Sequence, residues 1–405
     1  MKEKNYCLLV TMVIMMSVIG LMSSDIYLPA LPVMAEYFHV RTQDIQTTLS
    51  VYLLGLSISQ IIYGSLSDRF GRRPVIIIGV AIYTIFSGLC MVSISVKALV
   101  VYRFFQAVGA CSGMVLGRTI IGDLFKKEEA AQIFASIFPI IGMSPAISPI
   151  IGGYLTSYFD WQASFLFLVI VGIVLMIVIV ASLEETLPQD KRVSILITDL
   201  VKNYGRILCN PIYLAYSTIV CAAYGAYFAY LVNSPFIFNK LGFNPDNIGF
   251  FYVTISLSYV LGNILSKKVI KIITIDSALL LGTIIFTTGG LAMLVLAWNI
   301  ISNPLEIIIP MTILTFGNGF LLPLGVASVI SIFPKMAGTA SGLMGLMQLS
   351  AASISSVAAG YILNELTLST SLVVFITNII SIFSILLILT IKGKSKQKKF
   401  SSGDL

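Results

Sequence analysis

The sequence predicts an all-α membrane protein with 12 transmembrane helices, arranged as two six-helix bundles around a central cavity. Three observations predict it. Of 405 residues, 57% are hydrophobic and 11% charged, and the mean hydropathy is +0.97. That is far too apolar for a water-soluble chain of this length. The apolar residues also form long continuous runs, whereas a spanning β-barrel would need short alternating strands. Each helical span needs about 20 such residues, and about twelve spans account for most of the apolar share. Finally, the basic residues are strongly biased in placement. Of 25 Lys and Arg, only Arg41, Lys97 and Lys240 fall in outside connections if both termini lie inside. Short cytoplasmic loops retain Lys and Arg, so both termini are expected in the cytoplasm and the protein in the cell (inner) membrane.

Taken in order, the expected spans are 7–33, 46–65, 75–94, 98–124, 131–156, 162–183, 211–238, 246–266, 276–299, 304–332, 338–363 and 370–391. The first has the charge pattern of a signal peptide, but Asp25 and two prolines follow without a clear cleavage site, so it reads as retained. The connection 184–210 is mixed in charge, holds an amphipathic run over 193–208, and separates an N-terminal half, 1–183, from a C-terminal half, 211–391. The halves echo one another faintly. Leu124-Phe125-Lys126 before span 5 matches Ile332-Phe333-Pro334-Lys335 before span 11, and Ala135-Ser136 matches Ala340-Ser341. Such repeats suit two halves facing a central cavity. The tail 392–405 is basic, either a charged stop after the last span or a contact for anionic membrane lipid.

Composition excludes several functions. The net charge of +7 does not point to nucleic acid, because the basic residues lie in loops and tails rather than in one aromatic-interleaved patch. Five cysteines lack paired spacing and read as packing residues, and a lone His39 rules out a histidine cluster. No metal-ligand cluster, nucleophile–base set or phosphate loop suggests an enzyme.

The charged residues within or beside spans carry the remaining information. Ionisable side chains at membrane depth are costly and usually face a cavity or a partner. Asp25 lies in the outer half of span 1, where Pro29 and Pro32 bend or end the helix. Arg103 lies at similar depth in span 4. The two are expected to pair, either as a static tie between helices or as a proton- and substrate-handling couple. Gln106 shares the face of Arg103 and bonds either substrate or a neighbouring helix. The segment 64–74 reads as a tight cytoplasmic loop between spans 2 and 3. Gly64, Asp68, Arg69, Gly71 and Arg72, with Asp123 at the end of span 4, form either a gate whose pairs break between conformations or a solvated loop. One helical turn would bring Asp68 to Arg72. In span 5, Ser144, Ser148 and Gly152 form a small-residue row beside Pro145, Pro149 and Gly153, which suits close helix approach and bending. In span 7, Tyr224, Tyr227 and Tyr230 with Asn233 make a semi-polar stripe, either a lining for amphipathic solutes or part of an aromatic belt.

These segments together resemble the major facilitator superfamily over nearly the whole chain. Residues 64–73 resemble its motif A, 103–110 its motif B with Ala107 where a glycine is usual, and span 5 its antiporter motif C with Ser144-Pro145 in place of Gly-Pro. The run from Ser24 to Pro32, with Asn233-Ser234-Pro235-Phe236, is similar to the bicyclomycin/chloramphenicol resistance group. The resemblance implies a monomeric carrier that exports drugs or small metabolites in exchange for protons, driven by the proton gradient with no cofactor. It implies that Asp25 takes the proton with Arg103 as its partner; Tyr27, Gln106, Tyr227, Tyr230 and Asn233 are expected to join them in binding substrate. Ser17 replaces a further acid found in some relatives. The second-half loop 262–271 lacks the motif A acid, so unequal gates are expected. Rival readings are a proton-coupled carrier of a dedicated metabolite, such as a siderophore, amino acid or sugar importer, and a non-transporting receptor or assembly factor.

Overall fold

The computed structural model describes residues 3–125, 127–189, 192, 197–298, 303–333, 336–363 and 365–401. Lys126, Pro334 and Lys335 of the sequence echo, the start of the 193–208 run and residues 402–405 lie outside the described residues. The elements are α1 (Glu3–Asp25), a 3-10 turn (Leu28–Ala30), α2 (Leu31–Tyr37), α3 (Thr42–Phe70), α4 (Arg72–Met91), α5 (Val96–Leu124), α6 (Lys127–Phe159) and α7 (Gln162–Ser182). After α8 (Ile197–Leu208) come α9 (Pro211–Lys240), α10 (Pro245–Val269), α11 (Ile275–Ala297), α12 (Leu305–Ile332), α13 (Ala337–Tyr361) and α14 (Leu366–Ser401). Among the described residues, eleven helical segments are long and apolar enough to cross a membrane, and α6 adds a further long helix. Helices are the expected answer, because hydrocarbon offers no partners to an unpaired backbone group.

One expectation is met and one corrected. Span 1 is not one helix, in keeping with its two prolines. α1 ends at Asp25, and the chain passes through the 3-10 turn before α2. Pro29 and Pro32 lack the N–H groups that a continuous helix would use. The segment 64–74 is no loop either. α3 runs through Phe70 and α4 starts at Arg72, so Gly71 alone makes the turn, at φ +98°. Only glycine takes that backbone conformation at little cost. α14 continues into the basic tail as far as Ser401.

The chain divides into two compact units, one of Met1–Leu196 with Leu231–Ser256 and one of Ile197–Tyr230 with Leu257–Leu405. Both α9 and α10 are therefore shared between units. The division of α9 falls beside a proline that interrupts its hydrogen bonding. Pro235 has no N–H for the carbonyl of Leu231, four residues back, and the Ser234 hydroxyl reaches that carbonyl instead at 3.4 Å.

Within the first unit, glycines let helices meet backbone to backbone. Gly109 of α5 lies against α4, and a Cβ there would stand 2.7 Å from the Gly79 carbonyl oxygen and from Tyr83 Cα. Gly113 lies against α1, where a Cβ would stand 2.5 Å from the Met16 carbonyl oxygen. Gly122 of the same helix has no atom of the described residues within 4 Å of its would-be Cβ. Gly109→Ala should thus destabilise the purified protein by about 1–3 kcal/mol through overpacking. Gly122→Ala should leave stability unchanged or slightly raised. Thermal unfolding in detergent distinguishes them, and equal melting temperatures would contradict this packing.

Candidate functional site

The first unit buries a cation among aromatic rings. Arg103 of α5 is 0% exposed. Its guanidinium carbon lies 4.2 Å from the ring centre of Tyr27 and 4.1 Å from that of Tyr52, with Phe165 of α7 at 5.8 Å. Tyr27 lies just after the break in α1, so the break delivers one ring of this sandwich. Cation–π contact is worth about 2 kcal/mol per ring when desolvated, which offsets part of the burial cost. The Nη1 of Arg103 donates to Gln106 Oε1 at 2.6 Å, and Gln106 Nε2 donates to Ser87 Oγ of α4 at 2.8 Å. Among the described residues, the Nε and Nη2 of Arg103 have no hydrogen-bond partner. Gln106 thus joins two helices and orients the arginine.

Asp25 ends α1 and is 2% exposed. Its Oδ1 accepts from Ser24 Oγ at 2.8 Å. Among the described residues no ion pair joins it to Arg103, so the expected direct pair is absent in this structure; Arg103 is held by rings and by Gln106 instead. The Arg103 charge nevertheless acts on Asp25 across the intervening space. Around the acid, Ser23 Oγ and Tyr83 Oη share a hydrogen bond of 2.9 Å, Tyr52 Oη donates to the Gly20 carbonyl at 2.9 Å, and Tyr27 Oη meets Thr48 Oγ1 at 3.2 Å. Among the described residues Asp25 has one hydrogen-bond donor, Ser24, and Arg103 has two N–H groups without an acceptor, so both groups can take a further partner.

The small-residue row of α6 backs this site. Ser144 and Ser148 bond each other at 3.2 Å. A Cβ on Gly152 would collide with the carbonyl of Ile26, the residue after Asp25. The next residue, Gly153, faces Pro245 and Asp246 of α10, and Gly249 of α10 faces Pro149 and Ile150. The helix runs through Pro145 and Pro149.

Of the expected substrate residues, Asp25, Tyr27, Arg103 and Gln106 come together. Asn233 is also in this unit, but it is buried against α3, where Gln46 Nε2 donates to Asn233 Oδ1 at 2.6 Å and to the Val232 carbonyl at 3.2 Å. Tyr227 and Tyr230 belong to the second unit. There Tyr227 sets its ring edge-on to Phe228 at 5.5 Å, and Tyr230 is buried.

The set expected at the cytoplasmic face is organised by Arg72, which is buried at 6% exposure. Its Nη1 donates to Asp68 Oδ1 at 2.5 Å and to Ser67 Oγ at 2.7 Å, and its Nε donates to Asp123 Oδ2 at 3.0 Å. Asp68 and Arg72 meet although the helix breaks between them. The Glu185 carboxylate accepts from the backbone N–H of Arg72 at 2.8 Å and of Arg73 at 3.3 Å, capping the start of α4. A Cβ on Gly71 would strike this carboxylate. Arg69 stays outside the network, exposed, over the ring of Phe70 at 5.2 Å. Gly64 has no atom of the described residues within 4 Å of its would-be Cβ.

Sequence reasoning missed Ser87, Tyr52 and Tyr83 around the acid and arginine, Gln46 against Asn233, and Glu185 at the α4 start. The first four are polar groups inside apolar runs, which was their only signal. Glu185 carried none, because it lies 113 residues from Arg72 in sequence.

The family profile of the Major Facilitator Superfamily matches residues 13–356 and again 215–403. The chain belongs to that superfamily of membrane transporters. It is 27% identical over 349 residues to multidrug resistance protein D of Escherichia coli (strain K12), covering 86% of this chain and 87% of that one. It is 24% identical over 337 residues to a bicyclomycin resistance protein homolog of Haemophilus influenzae, covering 82% and 83%. The crystal structure of a D-xylose–proton symporter shares the fold, with a TM-score of 0.74 at 14% identity over 96% of this chain and 97% of that one.

Gln106→Leu removes the acceptor of a fully buried guanidinium. It should cost about 1–3 kcal/mol of stability. Gln106→Glu keeps an acceptor and should recover most of that in thermal unfolding. If Gln106→Leu melts like the wild type, Gln106 does not hold Arg103.

Proposed function

We propose that this chain is a proton-coupled exporter of drugs or small amphipathic metabolites that works by alternating access. The observation that carries the reading is Asp25, a buried carboxyl at a helix break with no ion pair among the described residues, in the same unit as a buried arginine with two N–H groups that lack a hydrogen-bond partner among those residues. A group in that position is costly to keep unless it changes state during function. The resistance proteins among its relatives support drugs as substrates and export as the direction. Protons entering from outside bind Asp25, weaken its hold on solute or on Arg103, and release the solute outward. The proton and the solute each bind the two access states unequally, and that difference drives the cycle. Arg72 with Asp68 and Asp123 acts as the cytoplasmic gate of the first half. The carrier works as a monomer in the inner membrane, with both termini in the cytoplasm, and is driven by the proton gradient without a cofactor. The bias of Lys and Arg supports that orientation.

Everted vesicles with an acidified lumen and a pH-sensitive dye test this reading. Chloramphenicol-like and cationic drugs should dissipate the gradient with wild type and not with Asp25→Asn. An equal response in both variants would move the proton site elsewhere. Uptake of solute into right-side-out vesicles, with no drug response in everted ones, would reverse the direction.

A further inference from the structure

Tyr216 of α9, Asp276 of α11 and Lys392 of α14 meet within the second unit. Lys392 Nζ donates to Asp276 Oδ2 at 2.7 Å and to Tyr216 Oη at 2.6 Å, and Tyr216 in turn donates to Asp276 Oδ1. The ammonium also lies 5.2 Å from the Tyr216 ring centre. Tyr216 is buried, and the Asp276 side chain is 20% exposed. Every pair in this triangle is bonded, so each group fixes the other two. An exposed ion pair alone would be worth at most about 1 kcal/mol. A closed triangle on a buried hydroxyl sets position rather than bulk stability.

Its location follows the internal repeat. The family profile begins at residue 13 and matches again from 215. Arg72 and Asp276 stand 204 residues apart, and Glu185 and Lys392 stand 207 apart. Arg72 and Asp276 both lie in the first turn of the third helix of their half. Glu185 lies just after the sixth helix of the first half, and Lys392 lies late in the sixth helix of the second. The first half brings an acid onto a basic helix start, and the second brings a base onto an acidic one. The loop after α10 lacks an acid, but Asp276 supplies it one element later.

The triangle also pins α9 on the N-terminal side of Pro235. Tyr213 Oη donates to the Ala340 carbonyl at 2.8 Å, and Asn318 Nδ2 donates to the Ala223 carbonyl at 3.2 Å. Beyond Leu231 the same helix is held by other partners, Gln46 on Asn233 and Tyr252 on Ser234 at 2.8 Å. Between these two sets lies the carbonyl that Pro235 leaves without its helical donor.

We propose that Tyr216, Asp276 and Lys392 form a positioning clasp, at the place in the second half where Glu185 caps the α4 start in the first, which fixes the N-terminal segment of α9 so that the helix bends at Leu231–Pro235 instead of moving as a whole. Its effect on transport rests on the exporter reading; its effect on α9 does not.

Two readouts test it on the full chain. In everted vesicles matched for protein content, Lys392→Met and Asp276→Asn should each lower the maximal drug-driven rate about fivefold or more, with KM within about twofold. The swap Asp276→Lys with Lys392→Asp should return the rate to within about threefold of wild type, a rescue that simple loss of fold would not allow. Spin labels on the exposed Cys209 and on Ile273→Cys, with the other cysteines replaced, read the N-terminal end of α9 without any drug. The distance distribution should be narrow in the parent, about twice as wide in either single variant, and narrow again in the swap. Unchanged widths, or a swap no better than the worse single variant, would overturn the clasp. Widths that respond while wild type moves no drug would overturn the exporter reading and leave the clasp standing.

Discussion

Much of the first unit is arranged to keep one guanidinium out of water. Removing Arg103 from solvent costs several kcal/mol, and among the described residues no carboxylate pairs with it. The cost is spread instead over two tyrosine faces, one amide oxygen and a polar relay to α4. Each contribution constrains an element. Tyr27 reaches the guanidinium because α1 stops at Asp25. Tyr52 fixes the rotation of α3, since its hydroxyl must also reach the Gly20 carbonyl. Gln106 fixes α5 against α4 through Ser87. The close crossing of α4 and α5 at Gly79 and Gly109 is what lets so short a relay close.

Much of the fold was legible because the membrane enforces it. An apolar run long enough to span must become a helix. The breaks were harder. Pro29 and Pro32 announced a disturbance in the first span, but not that Asp25 would be the last helical residue. The arginine-rich segment read as a loop because its charges are dense. Charge density does not oppose a helix that has emerged from hydrocarbon, and one glycine with positive φ sufficed for the turn. At the site, Asp25 and Arg103 stood out as ions in apolar runs, and the motif spacing pointed to Gln106. Their mutual pairing did not follow, because sequence shows opposite charges and not which of several partners wins. Arg103 has two rings and an amide at hand, and these leave Asp25 to its neighbouring serine. Glu185 and Lys392 were invisible for a simpler reason. Each completes its cluster from more than a hundred residues away.

The starts of α4 and α11 solve one problem with opposite signs. A helix start carries a partial positive charge. At α4 that charge adds to Arg72 and Arg73, and the Glu185 carboxylate answers both. At α11 the helix start is already answered by its own Asp276 and by the cap from Thr274 Oγ1 to the Ser277 N–H at 3.2 Å. A second acid there would be repelled, so the partner from α14 is a lysine. The same duplicated architecture thus accepts either polarity, provided that the helix start and the incoming side chain are complementary.

The consecutive glycines of α6 restrict how that helix can move. Adjacent residues on a helix point about 100° apart, so Gly152 and Gly153 serve two different neighbours at one level. Turning α6 about its own axis would carry Ile151 or Tyr154 into a space that only a hydrogen fills. Parting directly from either neighbour meets no such obstacle. The seam therefore removes one degree of freedom and leaves another, which makes α6 a sliding or opening surface and never an axle.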